Sequence, residues 1–381
     1  MEFLYQNDHK YIVIPNFIAM KAGRKPIIAL VLLVICIIIK WYSSNSENVE
    51  LGYSSQFFPS FSAILRRGLG GFELSLGDIL YGLAAIWIIF KIYRMILFFI
   101  RKRQNGQFKY KVQQNLYSIF YIGAVVYIIF NLFWGINYNR KGIAWQLGLP
   151  ELKYKPTELE EMNSLLVQKI NTSKLSLLNS QKVYPNNREL FNEIGEAYEL
   201  LGNKYPFLAY KPSSIKSSLW GWLSNYAGIT GYYNPFTGEA QVNTSIPKFI
   251  QPFTSCHEVA HQLGYAKEME ANFVGYLAAT SSTDTLLHYS VYLDLFMYAN
   301  RNLYMVDSLS ANAYRKLLIK PVKDDIKEWI RFSRKHRGFL APVVNWVYGK
   351  YLQSNEQPQG ILSYDEVTGF LIAYYKKFGK I

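Results

Sequence analysis

Cysteine and histidine are the scarcest reactive residues in this chain: 381 residues hold two cysteines and five histidines. Cys36 lies inside an apolar run and Cys256 beside a histidine pair, so no disulfide framework can be drawn and the redox compartment stays open. Acidic residues are also few, 27 against 41 Lys+Arg, which leaves a net charge of +14. The surplus is dispersed or flanks apolar runs, and no zinc-finger spacing or RNA-binding aromatic motif accompanies it. That argues against a nucleic-acid partner. Internal repeats and low-complexity segments are absent.

Apolar residues, in contrast, are plentiful at 50%, with 17% aromatic. Residues 26–42, 79–100 and 116–135 are each close to the ~20 residues that a helix needs to cross a bilayer. The first is short unless Lys40 and its aromatic neighbours sit in the interface, and the second must accommodate Lys91 and Arg94 by snorkelling or helix contact. Lys21, Arg24 and Lys25 precede the first run, while Arg101, Lys102, Arg103, Lys109 and Lys111 fill the loop between the second and third. Both flanks are therefore expected in the cytoplasm. The loop 43–78 and everything after residue 136 then fall on the far side. Residues 1–19 read as an N-terminal extension, because Met20 directly precedes the basic stretch and offers an alternative start.

This divides the chain into the extension 1–19, a three-helix membrane region 20–135 and an exported domain 136–381, mainly α, with a small β-hairpin or sheet. Thr157 and Glu160 suggest a capping box opening a helix to about residue 170, and 187–201 reads as a helix ended by Gly202. Residues 229–233 and 239–243, joined by Asn234-Pro235-Phe236-Thr237-Gly238, form a hairpin pattern. It is read equally as an exposed strand that pairs with an extended substrate or as a covered hairpin without substrate contact.

Directly after it comes His257-Glu258-Val259-Ala260-His261. Residues four apart share a helix face, so two imidazoles at this spacing can hold one ion while Glu258 stands beside an open coordination position as general base. Phe253, Cys256, Ala260 and Leu263 mark the buried stripe of this helix, and Gly264 ends it. A second helix over about 267–280 supplies the third ligand. Lys267 cannot donate a lone pair, which breaks the HExxHxxGxxH pattern. Glu268 and Glu270 remain as alternatives. His336, Arg331, Arg334, Tyr348, Tyr364 and Tyr374 are candidates for stabilising an oxyanion. His9 and His288 read as isolated.

The segment Glu268-Met269-Glu270-Ala271-Asn272 resembles the Glu-x-x-Ala-Asp element of membrane-associated HExxH peptidases, which implies Glu268 as ligand and Asn272 in the place of a supporting carboxylate. More broadly, the three spans, the Gly-Tyr-Tyr-Asn-Pro-Phe-Thr-Gly-Glu-Ala hairpin, HExxHxxGxA and Glu-x-Glu-Ala-Asn resemble an uncharacterised bacterial membrane-protein family, domain of unknown function 3810. The resemblance implies a zincin-like site on a multi-pass protein of the bacterial inner membrane, with its C-terminal domain periplasmic or extracellular. The expected activity is hydrolysis of exported or envelope proteins or peptides by a zinc-activated water with Glu258 as base. The alternative is a non-catalytic, zinc-stabilised binding, chaperone or sensor protein.

The charge flanks make one direct prediction. A reporter fused after Ile381 should be active only when exported, so a cytoplasmic signal from that fusion would invert the topology.

Overall fold

The computed structural model describes residues 25–101, 108–338 and 340–381. The extension 1–19, Met20 and the flanking cations Lys21, Arg24, Lys102 and Arg103 lie outside the described residues. The chain opens with α1 (Lys25–Ser43). A short α2 (Ser46–Asn48) runs through a π-helical stretch (Val49–Phe57) into α3 (Phe58–Leu69), and α4 (Leu76–Arg101) and α5 (Phe108–Phe133) follow. Helices α1, α4 and α5 carry apolar windows of 18, 22 and 22 residues. Their side chains face outward, with Ile86 66% and Ile119 63% exposed. Helices of this length with so much apolar surface point to a membrane protein. The third helix stops two residues short of the expected 135, because Trp134 leaves helical geometry at φ −161 and ψ −39.

The expected loop 43–78 is instead helical and belongs to the globular body. Its buried positions, Val49, Glu50, Tyr53, Ser54, Phe58, Ser62 and Arg66, make one continuous stripe. Glu50 is fully buried and accepts from Arg140 Nη2 at 2.7 Å and Nε at 3.0 Å, from the Gly142 amide at 3.1 Å and from Gln146 at 3.0 Å. Ser54 donates to Asn137 at 2.8 Å, and Ser62 donates to the Gln262 carbonyl at 3.0 Å. The folded domain therefore does not begin at 136; its floor is the segment between the first two spans.

Beyond the spans, a 3-10 turn (Gly135–Asn139) and α6 (Ile143–Gln146) lead to α7 (Pro156–Asn179) and α8 (Asn187–Lys204). The first of these helices is capped by Glu158 on the Lys155 amide at 2.7 Å, rather than by the expected Thr157 and Glu160, and runs well past 170. The capping box of α8 is reciprocal between Asn186 and Glu189, at 3.0 and 2.9 Å. Gly202 lies inside its last turn, where a Cβ would come within 2.9 Å of Ala209, so this glycine serves packing rather than termination.

Next come β1 (Ile215–Ser217), α9 (Gly221–Ala227), β2 (Gly231–Asn234) and β3 (Glu239–Val242). The hairpin is antiparallel, with Tyr232 opposite Gln241, as its turn sequence implies. The sheet also has a third member: β1 pairs in parallel with β3, giving the order β1-β3-β2. At three residues, β1 is too short to show a pattern. The remainder is helical: α10 (Gln251–Gln262), α11 (Glu268–Ser281), α12 (Thr285–Val306), α13 (Ser308–Leu317), α14 (Lys320–His336), α15 (Leu340–Ser354) and α16 (Val367–Phe378). All of α10 is buried, packed on α11, α12, α8 and both hairpin strands.

The C-terminal end of α1, the N-terminal end of α4 and the C-terminal end of α5 all meet this body. Glu239 of β3 accepts from the Leu76 and Gly77 amides at 3.1 and 2.6 Å, capping α4 where an acid is favoured by the helix dipole. Asp78 accepts from the Leu219 amide at 2.7 Å and from Tyr232. Tyr53 donates to the Leu132 carbonyl in the last turn of α5 at 2.9 Å. The hairpin is thus fastened directly to the head of a membrane-length helix.

The Glu50–Arg140 pair should be the most sensitive of these joints. Glu50→Gln leaves a fully desolvated guanidinium without its counter-charge, and is expected to destabilise the protein by about 3–5 kcal/mol, read as a lowered Tm of the detergent-solubilised chain. The double replacement by methionine should recover most of that loss. An unchanged Tm in Glu50→Gln would show that the pair does not hold the floor in place.

Candidate metal centre

Helix α10 starts with Pro252 in its first turn and places His257 and His261 one turn apart, with ring centroids separated by 4.7 Å. At Gly264 the backbone adopts φ +86, which glycine takes readily, and the chain reverses. A Cβ there would also strike Phe58 at 2.9 Å, so the turn is seated on the floor segment. Helix α11 then returns beside α10, and Gly275 keeps the two backbones close: a Cβ would stand 3.2 Å from the His257 amide nitrogen. The first residue of α11 is Glu268, and its Oε2 lies 3.2 Å from His257 Nε2 and 3.5 Å from His261 Nε2.

The far side of each ring is held as well. His257 Nδ1 is 2.8 Å from Asn272 Oδ1, and His261 Nδ1 is 2.7 Å from the Tyr265 carbonyl. Oxygen acceptors at Nδ1 favour a proton there, so that each ring in its neutral form would direct its Nε2 lone pair at the shared space. One donor atom from each of His257, His261 and Glu268 falls within 4.8 Å of the others, so this cluster could hold a metal ion. Two neutral imidazoles and one carboxylate are a donor set that suits zinc.

Helix periodicity explains which acid takes part. Glu268 and Asn272 are four apart and share the face turned to the histidines; Glu270, two residues on, points the other way. It is buried beside Gly142, where a Cβ would overlap its carboxylate at 1.7 Å, and it accepts from the Ile143 amide. Burial raises its pKa, against the pull of Lys267 and Arg140. Glu270 is therefore part of the link to the floor, and Glu268 is the acid brought to the cluster.

The electrostatics fit an acid, a base and a bound cation in close quarters. Burial alone would raise the pKa of Glu268, but His261 and His257 hold it far below the usual carboxylate range. For His257, burial works against protonation, yet Glu268 and Glu258 lift it to about 9. Tyr348 of α15 donates to Glu268 Oε1 at 2.5 Å, and the Glu268 amide donates to Gln357 at 3.0 Å. Glu258 differs: burial pushes it up to about 7 while both histidines draw it down, and its Oε2 is buried without a hydrogen-bond partner among the described residues. Gly231 of β2 backs its other oxygen, since a Cβ there would come within 2.7 Å of Oε1.

Several neighbours were not evident from sequence. Trp134, immediately after α5, donates to the His261 carbonyl at 3.1 Å, with its ring edge-on to the imidazole at 5.8 Å. Tyr138 and Tyr351 share a hydrogen bond of 3.1 Å, and Asp294 of α12 is near enough to His257 for their charges to interact. The only signal for Trp134 and Tyr138 is an aromatic cluster closing an apolar run, which reads as a membrane-interface belt. Among the expected oxyanion candidates, Tyr348 reaches the cluster through Glu268. His336 packs on Phe332 and Tyr226, Arg331 and Arg334 are exposed, and Tyr374 sits in the core against Phe273. The side chain of Tyr364 lies outside the described residues. Cys256 is buried, its thiol pushed well above the ordinary range by desolvation, in keeping with a filler role.

The hairpin shares features of both expectations. Strand β2 is at the sheet edge, with Gly231 and Tyr232 half-buried, while Tyr233 is covered by the Trp134 ring at 5.3 Å. A cavity of about 590 Å³, lined by Tyr205, His288, Tyr292 and Lys380 among others, includes none of the cluster.

The assignment of ligands has a discriminating test. Equilibrium dialysis of the purified full chain against Zn²⁺, followed by elemental analysis, should show about one ion per chain. That ion should be lost in His257→Ala, His261→Ala and Glu268→Gln but kept in Glu270→Gln; retention in the first three would remove the centre.

No curated protein and no solved structure matches the chain. A family profile does, over residues 53–372. That stretch takes in the floor segment from Tyr53 onward, the second and third apolar helices, the hairpin and the whole His257–His261–Glu268 cluster. The chain therefore belongs to the family described as Protein of unknown function (DUF3810).

Proposed function

We propose that this protein is a membrane-anchored zinc peptidase, acting on exported or envelope proteins or peptides. The observation that carries the proposal is the pairing of two kinds of carboxylate. Glu268 is turned to both Nε2 atoms, and Glu258 stands beside them with a buried oxygen that accepts no hydrogen bond among the described residues. A purely structural site has no need of the second.

A zinc ion in this donor set supplies Lewis acidity, which makes water acidic near neutral pH and polarises a carbonyl. The chain's own residues do the rest. Asn272 and the Tyr265 carbonyl fix the tautomer and direction of the imidazoles, and Tyr348 holds Glu268 in its rotamer. Glu258 accepts the proton of the attacking water and passes it to the leaving amine. A carboxyl lifted to about 7 suits both halves of that transfer at neutral pH. The edge strand β2 offers a backbone for an extended peptide to pair with, next to the base that Gly231 supports.

The basic flanks of the apolar helices support a cytoplasmic N-terminus and a domain facing the periplasm or exterior of a bacterial inner membrane. One observation favours a second reading, a structural zinc site in a binding protein: His257, Glu258, His261 and Glu268 are all buried, from 2 to 8% exposed.

Glu258→Gln separates the two. For the peptidase, cleavage of a peptide library by the detergent-solubilised chain should fall by about 10²-fold or more, with zinc content unchanged. Cleavage that persists in the variant would withdraw the catalytic role and leave the structural site.

A further inference from the structure

Two helices beside the spans present apolar faces that the other described residues leave exposed. In and just before α9, Leu219, Trp222, Leu223 and Tyr226 are 40–61% exposed; on α15, Val343, Trp346 and Val347 are 54–67% exposed. The latter three fall at i, i+3 and i+4, a single stripe. Helices α9 and α15 pack against each other, so the two faces belong to one surface.

Their height relative to the spans is fixed by contacts. Trp220 Nε1 donates to the Asp78 carbonyl at 3.1 Å, and its ring lies against Gly82, where a Cβ would be 3.0 Å away. Gly82 is a turn and a half inside the apolar window Leu76–Leu97, among outward-facing Leu80 and Leu83. On the other side, the Tyr351 ring is 6.4 Å from Phe130, one turn inside the window that ends at Phe133. Glu356, just past α15, pairs with Lys40 in the last turn of α1 at 3.8 Å. Behind the aromatic surface stands a basic one: α14 ends in Arg334, Lys335 and His336, and the His336 ring packs on Tyr226 at 5.4 Å.

We infer that α9 and α15 lie in the membrane leaflet on the domain side, with Trp222, Trp346 and Val343 in the acyl-headgroup boundary and the end of α14 over anionic headgroups. Exposed tryptophan and aliphatic side chains continuous with lipid-facing helices, flanked by cations, are the composition of an interfacial helix. The surface is therefore an extension of the bilayer contact rather than a free docking face. It also locates the metal cluster. The inner face of α15 supplies Tyr348 to Glu268, so one wall of the site is the back of a leaflet-embedded helix. Resting on the peptidase reading, this makes the substrate class a juxtamembrane or lipid-bound peptide segment, delivered along the leaflet.

Depth-resolved fluorescence tests the placement without any assay of activity. The full chain carrying Cys36→Ser and one of Trp222→Cys, Trp346→Cys or Val183→Cys is labelled with an environment-sensitive nitrobenzoxadiazole dye; native Cys256 is buried and left in place. It is reconstituted into vesicles of phosphatidylcholine and phosphatidylglycerol. Probes at 222 and 346 should emit to the blue of the probe at 183, lose most of their emission to acyl chains brominated near the headgroup and resist iodide. The probe at 183, on a residue 84% exposed, should show the reverse. Iodide quenching at 222 and 346 equal to that at 183 would overturn the inference, because the surface would then be in water. Shielding from both quenchers would also overturn it, in favour of coverage by a second copy of the chain. Loss of the peptidase reading leaves the depth measurement untouched, so the two fail separately.

Discussion

The charge of Glu268 is the constraint around which the rest of the body is arranged. A carboxylate that is 2% exposed cannot remain ionised without positive charge against it, and its Oε2 is aimed at the two Nε2 atoms, where a bound cation would supply that charge provided the rings are held in place. Every local feature of α10 and α11 contributes: the reversal at Gly264, the glycine at 275 that lets the helices touch, and the Nδ1 acceptors that set both rings. A divalent ion between these atoms would satisfy all three at once. With the donors already oriented, binding would incur little reorganisation.

The same burial ties the site to the ends of the membrane-length helices. The turn at Gly264 rests on Phe58, its carbonyl accepts from Arg140, and Arg140 is neutralised by Glu50. His261 carries Trp134 on its carbonyl, and Trp134 follows the last residue of α5. The hairpin that backs Glu258 is fastened to the first turn of α4 through Glu239 and Asp78. A displacement of the heads of α4 and α5 therefore acts on the base and on a histidine through separate contacts, so the domain and its spans form one mechanical unit.

Much of this was legible in the sequence where the information is local. The three apolar runs, the hairpin turn and the spacing of His257 and His261 each depend on residues within a few turns of one another, and each is found within about four residues of its expected place. Interactions that join distant segments were not. Glu50 and Arg140 look like ordinary surface charges until they are paired across 90 residues, and residues 43–78 accordingly read as a loop. Tyr348, one of 31 tyrosines, could be placed among the candidates but not chosen from them. One local signal does separate the two acids: Glu268 and Asn272 are four apart, and if Asn272 orients a histidine, only Glu268 can share that face.

Asn272 also bears on how strong the site is. A carboxylate at that position would increase the basicity of His257 and add a third negative charge to a space that already holds Glu258 and Glu268. The amide keeps the hydrogen bond without the charge. Burial raises the pKa of Glu258, His257 and His261 lower it, and the repulsion of Glu268 adds to the rise; a further acid behind His257 would raise it more. On the peptidase reading, a Glu258 shifted toward its protonated form at neutral pH would be a poorer base. On the same reading, asparagine would give up some basicity at His257 and leave Glu258 closer to the point where it can both accept and return a proton.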